Sequence, residues 1–253
     1  MNNNYLIYPC RIMRITQSYN GKTSHKPHTI GTPRDYPIDE GCADMGRSYI
    51  YCPCDKMVVR RIYGIGGSGT NTIWLESTTK VSFADGTKDY FTMLITHPDD
   101  SDLSKIKSGD TFSRYEPICR EGKDGATAYH FHISGGKGRM KGNGWQKSTK
   151  SKWVLTTTNG AAKPEKLFFI DDDFTKVTDS ASLKFKALPH GYTAGYYKVN
   201  TAVLNVRSGA GTGFKKVSAL LKGKKINITS VEGNWGSFGK GKWVCLDYCE
   251  ELK

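Results

Sequence analysis

The sequence predicts an all-β fold made of antiparallel sheet. Three observations carry this. Short runs of β-branched and aromatic residues recur along the chain, with turn residues between them. No apolar pattern of period 3.6 extends through residues 1–140, so no long amphipathic helix is expected there. The connections between runs are too short for the crossover helices that parallel strands need. The 253 residues suffice for a medium domain followed by a small one. The runs divide accordingly, into a domain over 1–170, a linker over 171–195 and a small barrel over 196–253.

Residues 5–9 and 11–19 give the first strand signals. Residues 20–37 hold Gly21, Pro27, Gly31, Pro33 and Pro37. So many breakers exclude a helix and predict an ordered loop. The loop carries His25 and His28, and loops beside a rigid sheet are where binding groups gather. It ends in residues 35–41, Asp-Tyr-Pro-Ile-Asp-Glu-Gly. Strand signals follow at 49–63 and 72–76. The runs 80–84 and 88–97 flank Asp85-Gly86, a strong hairpin signal that puts His97 at the end of the second strand. Residues 111–121 read as a further strand pair. Residues 135–144, with five glycines among ten residues, read as a basic, flexible loop. Residues 153–155 and 166–170 read as the last strands of the first domain. His190 falls in the linker between Pro189 and Gly191 and is assigned no chemistry.

Residues 128–133, Ala-Tyr-His-Phe-His-Ile, read as a strand. Side chains two apart on a strand share a face, so His130 and His132 project together while Phe131 turns away. Two imidazoles on one rigid element suit metal binding, or one ligand beside one proton-transfer group. A pair of satisfied polar residues on a wet strand face is the alternative. Glu40, Asp44 and Glu121 lie near these motifs and read as solvated or supporting carboxylates.

Net charge is +13, from 37 basic and 24 acidic residues. Such a field attracts polyanions, among them nucleic acid and the teichoic acids of a bacterial wall. Residues 196–253 alone hold ten basic side chains against four acidic ones. Single-strand binders place stacking aromatics within basic stripes, and that pattern is not evident, so nucleic acid is not expected as a partner. No apolar run approaches the roughly 20 residues that span a bilayer. The N-terminus shows no basic segment followed by an apolar core, so no secretory signal is expected. The seven cysteines are odd in number, which argues against a secreted disulfide framework. They read mainly as small buried hydrophobes. A second metal site from Cys42, Cys52 and Cys54 is the lesser reading.

Two resemblances organise these observations. Residues 204–212, Leu-Asn-Val-Arg-Ser-Gly-Ala-Gly-Thr, with Leu221-Lys222-Gly223, Asn234-Trp235-Gly236 and Trp243-Val244, resemble a bacterial SH3 (SH3b) domain. That resemblance implies a non-catalytic wall-binding barrel. The N-terminal domain resembles the M23 family of lysostaphin-like zinc peptidoglycan endopeptidases. Ser24-His25 followed by Ile38-Asp39 looks like the first two metal ligands. Residues 52–58, Cys-Pro-Cys-Asp-Lys-Met-Val, sit where the family has its Ala-Pro-x-Asp-Gly-x-Val turn. Ile95-Thr96-His97 is similar to its Tyr-x-His. His130-Phe131-His132, after Arg120-Glu121-Gly122, resembles its His-Leu-His.

The resemblance implies a zinc ion held by a loop histidine, Asp39 and His132, with His97 and His130 as catalytic bases or acids beside it. The family often has His-x-x-x-Asp, and here the residue four before Asp39 is Asp35. His25 is the first choice for the loop ligand, from its Ser-His context, His28 the second and Asp35 the third. The implied function is a zinc endopeptidase that cuts stems or cross-bridges of peptidoglycan, with peptidoglycan and anionic wall polymers as partners. Without an export signal the chain resembles a phage endolysin, made in the host cytoplasm and reaching the wall after holin-type release. A catalytically inactive domain serving as a wall-binding or virion structural module is the alternative.

Overall fold

Eight strands build the central sheet of the larger unit. In chain order they are β1 (Ile12–Gln17), β2 (Ile38–Glu40), β3 (Lys56–Tyr63), β4 (Thr72–Ser77), β5 (Phe91–Thr96), β6 (Thr111–Ser113), β7 (Phe131–Lys137) and β8 (Lys176–Asp179). Their order across the sheet is β8-β1-β2-β7-β5-β4-β3-β6. Every neighbouring pair is antiparallel except the edge pair of β8 on β1. The computed structural model describes residues 4–19, 36, 38–41, 47–67, 70–147, 153–189 and 191–252. The chain divides into two compact units, which meet in sequence at Ala187 and Leu188.

Alternation decides which side chains face the core. Ile73, Ile95, Phe131 and Ile133 point to one side of the sheet and are fully or almost fully buried. They pack with Leu6, Tyr8, Met57, Phe83, Phe91 and Phe168. Each such side chain contributes roughly 1.5–3 kcal/mol by leaving water, so the site-bearing strands β5 and β7 are pinned from beneath. The other side of the sheet is polar toward β2 and aromatic toward β3. There Trp74 and Leu94 pack under Leu155, and Trp74 meets Trp145 edge-on at 4.8 Å.

Several expectations hold and several need correction. The Asp85-Gly86 turn forms, with Val81–Ser82 paired to Lys88–Asp89, but the second run breaks at Tyr90 and continues as β5 in the central sheet. The strand pair expected over 111–121 is two strands with different partners. β6 pairs with β3, and Pro117–Arg120 pairs with Tyr49–Tyr51.

The flexible loop expected over 135–144 is a hairpin-building segment instead. β7 runs through Lys137, and Met140–Lys147 pairs with Trp153–Thr157. Four of its five glycines, Gly135, Gly136, Gly138 and Gly144, serve close packing: a Cβ on Gly136 would sit 2.5 Å from the Thr157 methyl. The linker expected over 171–195 is partly built into the larger unit. β8 joins β1, and Lys186–Ala187 pairs in parallel with Phe169–Ile170. Glu40 and Glu121, read as solvated or supporting groups, are 3% and 2% exposed. Glu40 accepts from the Tyr8 hydroxyl and the Arg14 N–H, and Glu121 accepts from the Ser48 N–H.

The smaller unit is two antiparallel sheets. In chain order its strands are β9 (Gly195–Val199), β10 (Val203–Arg207), β11 (Lys216–Leu221), β12 (Lys225–Ile228), β13 (Ser230–Glu232), β14 (Trp235–Gly239), β15 (Lys242–Cys245) and β16 (Cys249–Leu252). One sheet is β12-β9-β16 and the other β11-β10-β15-β14-β13. Tyr197, Val199, Val206, Ile228, Val244 and Leu246 fill the space between them. Cys10, Cys52, Cys54, Cys119, Cys245 and Cys249 are free thiols, all but Cys249 buried, while Cys42 lies outside the described residues. Among the described residues no helix is long and apolar enough to cross a membrane.

Candidate functional site

The site begins with a three-residue strand. β2 lies between β1 and β7 and bonds to both, although Pro37-Ile38-Asp39-Glu40-Gly41 reads as the end of a loop. Its alternation sends Glu40 to the core side and Asp39 to the open side. Residues directly opposite in neighbouring antiparallel strands share a face. The register therefore lays down a polar row: Gln17 faces Asp39, Asp39 faces His132, His132 faces Thr96, and Thr96 faces Thr72.

His130 and His97 approach this row from strand ends. His130 stands just before β7 and makes an isolated bridge to Gly122. His97 follows β5. His132 Nδ1 lies 3.2 Å and His130 Nε2 3.8 Å from the same oxygen, Asp39 Oδ1. The His97 ring is centred 4.5 Å from that of His130 and 6.1 Å from that of His132. Four residues from three separate stretches of sequence thus meet at one point. His25 and His28, expected as metal ligands, and Asp35 with them, lie outside the described residues, as do Asp44 and His190.

Hydrogen bonds hold the rings in one orientation. His97 Nδ1 is 2.7 Å from the Asp124 carbonyl oxygen and His130 Nδ1 is 2.9 Å from that of Ala128. A carbonyl only accepts, so in both rings Nδ1 carries a hydrogen, and in the neutral form of each ring Nε2 keeps its lone pair. Burial pushes the His97 imidazole down to about 4, and His130 and His132 nearby act in the same direction against the Asp124 carbonyl. His97 is therefore neutral at pH 7. The Gln17 amide donates to Asp39 Oδ2 at 2.7 Å, which leaves Oδ1 turned toward the histidines.

The backbone at His97 is unusual. Its φ is +81°, in a region that residues with a side chain seldom adopt. Asn71, 1% exposed, fastens it. The Asn71 carbonyl accepts from the His97 N–H at 2.9 Å, and its side-chain amide donates to the Pro98 carbonyl and to Asp100 Oδ1. The Asn71 N–H donates to Asp124 Oδ2 at 2.6 Å, joining the two loops. Gly122 passes so close that a Cβ there would lie 2.2 Å from the His97 carbonyl oxygen. Gln17, Asn71 and Asp124 were not singled out from sequence, and Gly122 was named there only as part of the turn before the His130-Phe131-His132 strand. Their roles come from contacts between distant segments, and only the Gly122 turn before His130-Phe131-His132 left a local signal.

A groove of about 460 Å³ leads away from His97 and His132 over the open side of β5, β4 and β3. Thr72, Leu94 and Tyr63 line it, and Asn143 and Trp145 of the hairpin form one wall.

The spacing of one donor pair, Asp39 and His132, is compatible with a shared metal. Two donors bound to one tetrahedral zinc at about 2.0–2.1 Å lie roughly 3.3 Å apart, and the Asp39 oxygen and His132 nitrogen are 3.2 Å apart. Among the described residues no group of three or more His, Cys, Asp or Glu is placed to hold a metal ion.

Comparison with known proteins gives three findings. No family model matches the chain. Morphogenesis protein 1 of Bacillus phage B103 is 32% identical over 149 residues, which are 57% of this chain and 35% of that protein. The chain thus spans about a third of the length of that curated relative. Among solved structures it is similar to a zinc-containing peptidase from Vibrio cholerae, with TM-score 0.31 and 20% identity over 53% of this chain and 36% of that one. It is also similar to lysostaphin in solution, with TM-score 0.39 and 14% identity over 97% and 92% of the two chains. For lysostaphin from Staphylococcus simulans the TM-score is 0.35, again at 14% identity, over 96% and 90%.

Proposed function

We propose that this chain is a zinc-dependent peptidase that cuts peptide bonds of bacterial peptidoglycan. The observation that carries the reading is the meeting of Asp39, His97, His130 and His132 at the head of a groove. Asp39, His132 and a loop histidine, His25 or His28, would hold the zinc. When bound, the ion supplies an acidified water and polarises the scissile carbonyl. In its neutral form His130 presents Nε2 beside Asp39 and takes the proton of the attacking water. Once protonated it is a donor, and it stabilises the developing oxyanion or passes the proton to the leaving amine. His97 offers a second unprotonated Nε2 that orients the water. Gln17 keeps the Asp39 carboxylate in its one useful rotation.

The smaller unit is read as a wall-binding barrel of the SH3b kind. Its paired sheets and its ten basic side chains suit a polyanionic surface such as a wall polymer. In this reading the chain reaches the wall after a holin has opened the host membrane. A second reading is favoured by the likeness to a phage morphogenesis protein: a wall-binding or structural module of the virion, without catalysis.

One assay separates the two. A suspension of purified peptidoglycan should clear with the protein, stop clearing with chelator, and clear again with added zinc. Clearing that chelator leaves untouched would overturn the metallopeptidase reading. Sedimentation with the wall and no clearing at all would favour the structural module.

A further inference from the structure

The groove carries information about substrate. Two cross-strand rows run beneath it. The first, His132, Thr96, Thr72 and Tyr63, lines it throughout; of the second, Ser134, Leu94, Trp74 and Arg61, only Leu94 and Arg61 line it. Arg61 thus ends the second row, on β3, three strands from His132. It is exposed and lines the groove. Among the described residues no carboxylate forms an ion pair with it. Among the described residues lining the groove it is also the one permanent charge, since the others are hydroxyl, amide, apolar, aromatic or imidazole groups. A guanidinium waiting at the end of an otherwise neutral cleft recognises a planar anion, and a carboxylate matches its fork.

Resting on the peptidase reading of the site, we infer that Arg61 selects peptides with a free carboxylate a few residues from the cut bond. Three inter-strand spacings of about 4.8 Å separate His132 from β3, and an extended peptide advances about 3.3 Å per residue. The recognised group therefore sits roughly two to four residues from the scissile amide, allowing for the reach of the arginine. The acidic stem peptides of peptidoglycan have such a group. A glycine cross-bridge does not.

The test uses the full chain and two synthetic stem peptides, identical except that one has a free side-branch carboxylate and the other the primary amide. Hydrolysis is measured with zinc, and binding by calorimetry with the metal chelated. Wild-type protein should prefer the carboxylate peptide by about five- to tenfold, as expected for a charge-assisted contact in a half-open groove. Arg61→Gln should remove the preference and Arg61→Lys should restore part of it, with melting temperature reporting an intact fold. Equal handling of the two peptides by wild type, or a preference that survives Arg61→Gln, overturns the assignment. So does failure of both peptides to bind. If the carboxylate peptide binds through Arg61 but neither is cleaved, the groove assignment stands and the peptidase reading falls. If both are cleaved equally, the reverse holds.

Discussion

Asp39 Oδ1 and His132 Nδ1 face each other at 3.2 Å across the antiparallel pair β2 and β7. They are 93 positions apart in the chain, and the sheet register alone makes them neighbours. A carboxylate and an imidazole held this way are a charge-assisted pair without metal and two sides of a coordination shell with it.

Replacing His132 by alanine should abolish both zinc binding and lysis. Zinc per chain, measured by mass spectrometry after gel filtration, should drop from near one to near zero, with clearing at background. A variant that still holds one zinc per chain would mean the ligands lie elsewhere.

Gln17 tests the support of Asp39. Its amide bonds the oxygen turned away from the histidines. Partners of metal ligands are worth about 10- to 100-fold in affinity or activity. Gln17→Leu should weaken zinc by about that factor in a competition titration against a chelating dye, with little change in melting temperature. An unchanged titration curve would remove Gln17 from the site.

Gly122 tests the placement of His97. A Cβ on Gly122 would lie 2.2 Å from the His97 carbonyl oxygen and 2.5 Å from the Asp99 nitrogen, both backbone atoms. The clash cannot be relieved by a side-chain rotation. Gly122→Ala should cost about 1–3 kcal/mol of stability, read from urea unfolding, and should lower activity by more than that loss of folded protein explains. Wild-type stability in this variant would show that the two loops part without penalty.

Glu40 gives stability a pH dependence. Burial pushes its carboxyl up to about 8, against hydrogen bonds from Tyr8 and the Arg14 N–H that favour the charged form, and Glu121 nearby acts with burial. The unfolded chain loses that proton near 4.5. Between these values the folded state binds one proton more, so stability falls as pH rises and the full loss is reached above pH 8. The drop should be a few kcal/mol, at about 1.4 kcal/mol per pH unit. Melting temperatures at pH 5, 7 and 9, with chelator present throughout, should show it. Glu40→Gln should flatten the profile, and an equally steep one in that variant would place the effect in another group.

The fold class was legible in local pattern. Alternating runs around Asp85-Gly86 and the Val/Ile/Trp-rich segments from 56 to 76 specify strands by side-chain type alone, because each pleat must bury one face. His130 and His132 were legible for the same reason: period two puts both on one side of a strand. Strand partners were not legible, as residues 111–121 show, where two neighbouring strands bond to different segments. The status of residues 135–144 was also hidden, since glycine reads as flexibility in sequence whereas here it permits close packing.

What the sequence by itself determined is therefore the kind of secondary structure and the inventory of chemistry-bearing side chains. What only tertiary structure decided is which of them meet. Asp39 sits on a strand too short to declare itself, and it becomes a strand because β1 and β7 supply hydrogen-bond partners on both sides. His97 keeps a backbone conformation that local preference disfavours because Asn71, Asp124 and Gly122 hold it there. Local preference acts over a few residues, whereas cross-strand register and loop-to-loop hydrogen bonds join segments many tens of positions apart, and the candidate site is made of those.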